Sequence, residues 1–287
     1  MTLLAITRAV PPSIQRCELT HLQREPIDYA RAVAEHEEYE EALRSLGCRV
    51  ERLPEAPELP DSVFVEDGAV VFDRIAVIAR PGAASRRPEV DAVAAALAPH
   101  RPLAFIVAPG TIDGGDVLVT PGKVFVGISG RTNEDGVRQM AAIIAPHGYE
   151  TIAVPVTGCL HLKSAVTVCD LPPKGGSHVI EQGKSGSHIV STEDSWLPPL
   201  GGRTALLINP AWVDAAFFDG FDLIEVDPAE PAAANVLRIG DTVLCAEEHA
   251  RTRRRLDARG FVTRAVPAGQ LAKAEGGLTC CSLILVS

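Results

Sequence analysis

The sequence lacks several features that would assign a protein class at once. Its seven cysteines include no Cys-x-x-Cys pair, so neither a zinc knuckle nor a disulfide framework is indicated. The longest apolar runs are strand-length, far below the roughly 20 residues that cross a bilayer. No basic region precedes the apolar residues at the amino terminus. We therefore expect a cytoplasmic protein with reduced thiols and no membrane partner.

Positive charge is also scarce. The 287 residues carry 27 Lys and Arg against 37 Asp and Glu, which gives a formal net charge of −10. Such a chain repels phosphate backbones, which argues against nucleic acid as its main partner. Disorder is excluded as well, because 46% of the residues are hydrophobic and only 22% are charged.

One plan recurs along the chain: a polar residue, an apolar strand, a short turn, a second apolar strand and a helical pattern. The polar residues that open the five units are Asp67, Asp113, His161, Asn235 and Cys280. Their spacings are 46, 48, 74 and 45 residues, and a period of about 45 is typical of propeller-like rings. The helical patterns cover residues 29–45, 90–97, 136–145, 212–218 and 247–259.

The fifth unit is completed by the amino-terminal strand and the 29–45 helix, which closes the ring. We therefore predict an α/β fold of five units and a single domain over residues 1–287. The long third spacing holds an excess of about 29 residues over that period. It coincides with residues 172–202, a stretch rich in Gly, Ser, Lys and Pro that is interpreted as a loop insertion. His178 and His188 within it are spaced for a metal pair, although an ordinary surface loop is the simpler interpretation.

The ring brings the polar residue of each unit to one end, where three of them suit nucleophilic catalysis. A cysteine attacks as a thiolate beside an imidazolium, and a carboxylate orients the imidazole. Cys280, His161 and Asp113 supply these parts. Burial as structural residues is the alternative for both Cys280 and His161. Alternation along a strand that starts at Cys280 places Cys281 on the core face and Cys280 on the other.

Carboxylates and arginines form a second group of candidates. Asp61, Glu66 and Asp67 fall within seven residues around an apolar core segment, and buried carboxylates need a cationic partner. Arg86 and Arg131 each precede a helix in consecutive units and suit bidentate carboxylate contacts. A solvated loop and surface salt bridges are the simpler alternatives. Together these residues predict a pocket for a cationic amino acid, whose guanidinium carbon the thiol would attack.

Six motifs in this order resemble the dimethylarginine dimethylaminohydrolases, a branch of the guanidino-group-modifying enzymes. The resemblance covers nearly the whole chain and implies the pentein fold, a five-bladed pseudo-symmetric α/β propeller of ββαβ-type repeats. The motifs are Asp61-Ser-Val-Phe-Val-Glu-Asp67, Arg80-Pro-Gly-Ala-Ala-Ser-Arg-Arg87, Thr111-Ile-Asp-Gly-Gly-Asp-Val-Leu118, Val126-Gly-Ile-Ser-Gly-Arg-Thr-Asn133, Leu160-His-Leu-Lys-Ser164 and Gly277-Leu-Thr-Cys-Cys-Ser282.

The resemblance implies a hydrolase that converts N-omega-methylated L-arginine to citrulline and an amine. Cys280 would attack the guanidinium carbon to form an S-alkylthiouronium intermediate. His161, oriented by Asp113, would protonate the leaving amine and then activate water. Asp67 with Glu66 would hold the guanidinium nitrogens.

The resemblance also implies how the amino-acid end of the substrate is held. Arg86 and Arg131 would bind its carboxylate. Asp61 and the backbones of Leu19 and Ala274 match positions that hold this end or line a lid over it.

No metal or organic cofactor is expected, although the resemblance implies that zinc can inhibit by binding Cys280 and His161. The expected partner is the small-molecule substrate, and a homodimer is left open. Alternative activities on the same fold are hydrolysis of arginine or hydroxyarginine and amidino transfer to an amine. A non-catalytic arginine-binding protein is the alternative from another class.

Overall fold

This computed structural model describes residues 3–169 and 204–286. Their strands are β1 (Leu3–Arg8), β2 (Cys48–Leu53), β3 (Ala69–Val71), β4 (Ala76–Ile78), β5 (Leu103–Phe105), β6 (Val117–Thr120), β7 (Lys123–Ile128), β8 (Glu150–Pro155), β9 (Val166–Val168), β10 (Ala205–Ile208), β11 (Asp222–Glu225), β12 (Leu237–Ile239), β13 (Thr242–Ala246), β14 (Val262–Val266) and β15 (Leu283–Val286). The α-helices are α1 (Tyr29–Ser45), α2 (Val90–Leu97), α3 (Glu134–Ile144), α4 (Leu162–Ala165), α5 (Ala250–Ala258) and α6 (Gly269–Ala272).

The strands form five three-stranded sheets that all follow one pattern. In each, the middle strand pairs antiparallel with the first strand and parallel with the outer strand. A parallel pair needs a crossover connection, which α1, α2, α3 and α5 supply in four of the units. The five-unit α/β prediction is confirmed, including closure of the fifth sheet by β1 and β2 from the amino terminus.

We number the units in chain order from unit one (β3–β5) to unit four (β12–β14). Unit five combines β15 with β1 and β2. The first strands of the units face one another around an axis and border a cavity of about 390 Å³. Residues of all five line it, among them Val70, Leu118, Thr167, Leu237 and Leu283.

The hydrophobic core is divided into five clusters, each between two neighbouring units. Strand β7 shows how the sequence produces this division. Val124 and Val126 pack in the cluster shared with unit one, whereas Phe125 between them packs in the cluster shared with unit three. Successive side chains of a strand point to opposite faces, so a sheet buried on both faces needs an uninterrupted apolar strand.

The polar residues that open the units lie in or directly next to short helical turns before the first strands, not at the strand starts. Asp67 lies in the 3₁₀ helix Val65–Gly68, while Asp113 and His161 immediately precede helical turns. Cys280 lies in the 3₁₀ helix Thr279–Cys281, and β15 begins only at Leu283. The alternation argument for Cys280 is therefore wrong: its exposed fraction is 7% against 3% for Cys281, because both belong to the same tight turn.

The predicted helices over 29–45 and 90–97 match α1 and α2. Helix α3 begins earlier than predicted, at Glu134, because the Asn133 side chain caps it by accepting from the Gly136 N–H. The helix predicted over 212–218 is only a 3₁₀ turn, Ala215–Phe218, which follows the side-chain cap at Asp214.

Residues 170–203 lie outside the described part, so the insertion at 172–202 and the pair His178 and His188 remain predictions. A single domain over 1–287 likewise remains a prediction. Among the described helices, none combines the length and apolar character needed to cross a membrane.

Replacing Phe125 with alanine is expected to lower the free energy of unfolding by about 3–5 kcal/mol, the usual loss for a buried phenylalanine. Phe125 is fully buried, and its ring centroid lies 4.8 Å from that of Phe218. Urea denaturation measures the change. Phe105→Ala is the matched control, because Phe105 is 53% exposed and its loss should cost about 0.5 kcal/mol or less. Equal losses in the two variants would contradict the proposed core.

Candidate active site

The three residues predicted for catalysis come from three different units. His161 Nε2 lies 3.1 Å from Asp113 Oδ2, and the other ring nitrogen lies 3.7 Å from Asp67 Oδ1. Cys280 Sγ accepts a hydrogen bond from the Gly277 N–H at 3.4 Å. All four side chains are buried. The fold thus brings an imidazole between two carboxylates and keeps a thiol in the same water-poor region.

His161 has a strongly perturbed acidity. Burial alone would lower its pKa, but the nearby carboxylates of Asp67, Asp113 and Asp116 outweigh burial and raise the pKa to about 9. The imidazolium is therefore the prevailing form at neutral pH. In return, His161 and Arg86 outweigh the burial of Asp67 and lower its pKa to about 2.

The side chains of the site favour the neutral thiol form of Cys280. Burial raises its pKa to about 12, and the charges of Glu66 and Asp67 act in the same direction. Thiolates are favoured beside cations and disfavoured beside carboxylates. A cation placed between this thiol and the carboxylates would therefore favour the thiolate.

Glu66 borders the axial cavity and lies next to Asp67, one of the candidate site residues. One carboxylate oxygen accepts from Lys163 Nζ at 2.5 Å and the other from Thr279 Oγ1 at 2.7 Å. Asn235 continues the network by donating to Thr279 Oγ1 at 3.0 Å. Both oxygens of Glu66 are thus already engaged. Lys163 and Thr279 were missed in the sequence, although a lysine inside the apolar run from Leu162 was a signal, since a buried ammonium needs a carboxylate.

Arg86 is buried and already bound on several sides. Its guanidinium donates to Asp67 Oδ2 at 2.6 Å and to Glu89 Oε2 at 2.9 Å. It also donates to the carbonyl oxygens of Asp61 and Phe64. Arg86 therefore orients Asp67.

Arg131 differs from Arg86 in having a free donor. It is 8% exposed, and its Nη2 donates to Thr20 Oγ1 at 3.2 Å. Nη1 is buried without a hydrogen-bond partner in the described part of the chain. A buried guanidinium nitrogen without a partner is costly unless a ligand satisfies it.

Asp61 and the two backbone candidates lie beside a loop that runs from Cys17 toward α1. Both carboxylate oxygens of Asp61 accept from the Glu18 N–H, at 3.1 and 3.3 Å. Burial raises the pKa of Asp61, and Arg86 partly opposes this. Leu19 follows Glu18 and packs against the same core cluster as the buried Ala274.

Asp116 is a buried positioning residue that sequence reasoning missed. It accepts from the Leu162 N–H at 2.9 Å, immediately after His161, and from the hydroxyls of Ser129 and Thr132 at 2.6 Å each. Burial raises its pKa to about 6. The second Asp of the Asp-Gly-Gly-Asp motif was the available signal.

The glycines of that motif allow the charged side chains to approach. A Cβ atom on Gly115 would lie 2.6 Å from His161 Nδ1 and 2.8 Å from Asp67 Oδ1. No side chain fits there, so the motif must carry glycine at this position.

Asp67, Asp113 and His161 are also the group in the described residues whose donor atoms could hold a metal ion, since those atoms lie within 4.8 Å of one another. Cys280 is not part of this group. Zinc binding through Cys280 and His161 therefore remains a prediction.

Known proteins match this chain over most of its length. The family model for eukaryotic N,N dimethylarginine dimethylhydrolase matches residues 18–164. An N(G),N(G)-dimethylarginine dimethylaminohydrolase from Streptomyces coelicolor is 35% identical over 282 residues, which are 98% of this chain and 96% of the relative. The chain belongs to the dimethylarginine dimethylaminohydrolase family. A relative of that name from Pseudomonas aeruginosa is 30% identical over 258 residues, 89% of each protein.

Solved structures of dimethylarginine dimethylaminohydrolase confirm the pentein fold. A cysteine-to-serine mutant from Pseudomonas aeruginosa in complex with citrulline matches with a TM-score of 0.83 and 29% identity, over 99% of this chain and 100% of that one. The amino-terminal domain of ArgZ, a cyanobacterial arginine dihydrolase, has a TM-score of 0.74 at 15% identity, with 98% and 97% of the chains covered, and so shares the fold.

Asp113→Asn is expected to lower the pKa of His161 below about 9, because the substitution removes a negative charge at hydrogen-bond distance. NMR titration of labelled histidine side chains measures this. His36 serves as an internal control: burial lowers its pKa to about 4, and it has no contact with Asp113, so its titration should be unchanged. A His161 pKa that does not move would contradict the charge coupling described above.

Proposed function

We propose that this protein hydrolyses N-omega-methylated L-arginine to citrulline, with release of dimethylamine or methylamine. The observation that carries the proposal is the imidazole of His161 held between the carboxylates of Asp67 and Asp113, in a buried anionic site that also contains the Cys280 thiol. Two findings on relatives support it. One dimethylarginine dimethylaminohydrolase structure contains citrulline, and another is an adduct with S-methyl-L-thiocitrulline.

The substrate would be held at both ends. Asp67 and Glu66 take the guanidinium nitrogens, although Glu66 must share its oxygens with Lys163 and Thr279. At the other end, Nη1 of Arg131, which has no hydrogen-bond partner among residues 3–169 and 204–286, suits the carboxylate. Arg86 remains a second candidate for the carboxylate.

The ammonium group of the substrate would lie between Asp61 and the backbone carbonyls of Leu19 and Ala274. A carboxylate and two carbonyl oxygens provide acceptors for the three ammonium hydrogens. The buried position of Asp61 strengthens its attraction for this group.

The reaction would proceed in two halves. When the guanidinium binds, the Cys280 thiol loses its proton to solvent water. The thiolate forms a bond to the guanidinium carbon, and the C–N bond to the methylated nitrogen breaks as His161 gives that nitrogen a proton. The departing molecule is the neutral amine, and a thiouronium remains on the sulfur. Water then gives one proton to neutral His161 and adds as hydroxide to the same carbon. The C–S bond breaks to release citrulline, and the remaining hydroxyl proton goes to the departing Cys280 thiolate.

The substrate itself supplies the charge that the thiol needs. A guanidinium between Cys280 and the carboxylates of Glu66 and Asp67 offsets the charges that raise the pKa of the thiol. His161 is already protonated at neutral pH, so the acid for the leaving amine is in place before attack. The arrangement therefore favours cationic substrates over neutral ureas.

Citrulline release tests the proposal. The protein should release citrulline from dimethylarginine and monomethylarginine without any added amine, and Cys280→Ser should reduce turnover at least 1000-fold, on the order of the loss of a nucleophile. Cys281→Ser is the matched control, since Cys281 is an adjacent buried thiol without an assigned role. Arginine, hydroxyarginine and agmatine are assayed in parallel. Wild-type turnover by the Cys280→Ser variant would exclude the mechanism, and a requirement for an amine acceptor would favour amidino transfer.

Arg131→Lys should raise KM for dimethylarginine on the order of 10- to 100-fold, the loss expected for charge-assisted hydrogen bonds, with little change in kcat. Steady-state kinetics with dimethylarginine and with dimethylated agmatine, which lacks the carboxylate, measures it. The agmatine derivative should show no such rise. Arg138→Lys, on the exposed face of α3, is the control. An equal rise for both substrates would contradict the assignment of Arg131 to the carboxylate.

A further inference from the structure

A loop over the site is held near both of its ends by hydrogen bonds. We call residues 17–27 the lid loop. Arg24 donates to the carbonyl oxygens of Gln15 and Cys17 at 2.6 Å each, and the Gln15 side chain accepts from the Ile27 N–H at 2.7 Å. Lys273 Nζ donates to the Pro26 carbonyl oxygen at 3.0 Å. These bonds fix where the loop leaves and re-enters the fold, but none of them holds its tip.

The backbone of the tip is held by one carboxylate, beside the hydrogen bond from Arg131 Nη2 to the Thr20 side chain at 3.2 Å. Glu275 accepts hydrogen bonds from three consecutive backbone N–H groups, those of Thr20 at 3.0 Å, His21 at 2.5 Å and Leu22 at 2.5 Å. Successive N–H groups that converge on one anion form a nest, a recurrent way of binding negative charge. The two sides of this contact are more than 250 residues apart in sequence.

Glu275 has an unusual backbone as well. Its φ is 59°, and it is the non-glycine residue in the described ranges with a positive φ. This conformation is unfavourable for a residue with a side chain and persists where the surroundings enforce it. Here it directs a charged side chain toward the lid loop while Ala274, the preceding residue, is buried.

The contact between Glu275 and the lid loop adjoins the Leu19 and Ala274 carbonyls, the two backbone groups proposed to bind the substrate ammonium. Leu19 lies between Glu18, whose N–H is bound by Asp61, and Thr20, whose N–H is bound by Glu275. The Leu19 carbonyl is therefore oriented by hydrogen bonds on each side. Ala274 provides the second carbonyl and is joined directly to Glu275.

We propose that Glu275 is a positioning residue that holds the lid loop closed and sets the distance between the Leu19 and Ala274 carbonyls, so that the site selects ligands with an α-ammonium group. The inference rests on the proposed function for the identity of the ligand. Glu275 touches neither the ligand nor the reacting atoms in this account.

The lid contact is measured first without activity. Amide hydrogen exchange at Thr20, His21 and Leu22 should accelerate at least tenfold in Glu275→Gln and further in Glu275→Ala, because the amide offers fewer acceptors and alanine none. Glu248→Gln is the matched control: Glu248 borders the same surface groove as Glu275, and none of its described contacts is a hydrogen bond to the lid loop. Unchanged exchange in both Glu275 variants would overturn the proposal.

Ligand selection is measured by binding to the inactive Cys280→Ser protein. Adding Glu275→Gln should raise the Kd of citrulline about tenfold, which corresponds to about 1.4 kcal/mol. The Kd of 5-ureidopentanoate, which is citrulline without its α-ammonium group, should rise much less. Glu275→Asp, which keeps the charge, should recover part of the citrulline affinity.

The outcomes separate this inference from the proposed function. If the wild-type protein releases no citrulline from any methylated arginine, the proposed function fails. If it does so, but Glu275→Gln weakens citrulline and 5-ureidopentanoate equally or neither of them, the role of Glu275 in ammonium selection is wrong.

Discussion

The structure depends on the burial of ionised side chains at the centre of a ring. Asp67, Asp113, His161 and Arg86 are all almost inaccessible to water. An isolated charge at such depth is prohibitive, and removal of one partner from a buried pair leaves the other uncompensated. Each of these groups therefore requires the others at hydrogen-bond distance. The charges can be buried only if several units meet at one end of the axis.

The same constraint joins the units to one another. Glu66 of unit one binds Lys163 of unit three and Thr279 of unit five, and Asn235 of unit four binds Thr279. His161 of unit three binds Asp113 of unit two. Hydrophobic clusters hold neighbouring units side by side, whereas the polar network connects units across the axis. The candidate catalytic residues and the contacts that close the ring thus belong to one network.

Much of this could be predicted from the sequence, because the spacing of Asp67, Asp113, His161, Asn235 and Cys280 reflects chain topology. The hydrogen-bond partners of each side chain could not be predicted from the sequence. Arg86 and Arg131 have the same position in the sequence pattern of their units. In the structure, Arg86 donates hydrogen bonds to Asp67 and Glu89. Nη1 of Arg131 has no hydrogen-bond partner in the described residues. Strand alternation failed at Cys280, since a tight turn replaces the predicted strand. Such outcomes are set by contacts between distant residues, which periodicity does not encode.

The electrostatics of the site also explain how the Cys280 thiol can stay protonated and unreactive until a substrate binds. Burial raises the pKa of Cys280, and the Asp67 carboxylate, which raises the pKa of His161, acts on Cys280 in the same direction. The proposed acid is therefore protonated while the proposed nucleophile is still a neutral thiol. A cationic ligand placed on the thiol side of the carboxylates neutralises them there and so lowers the pKa of Cys280. The reaction still needs the protonated His161. Citrulline is neutral at its ureido group and loses that attraction. The buried negative charge therefore favours activation by the substrate and release of the product with one arrangement of residues.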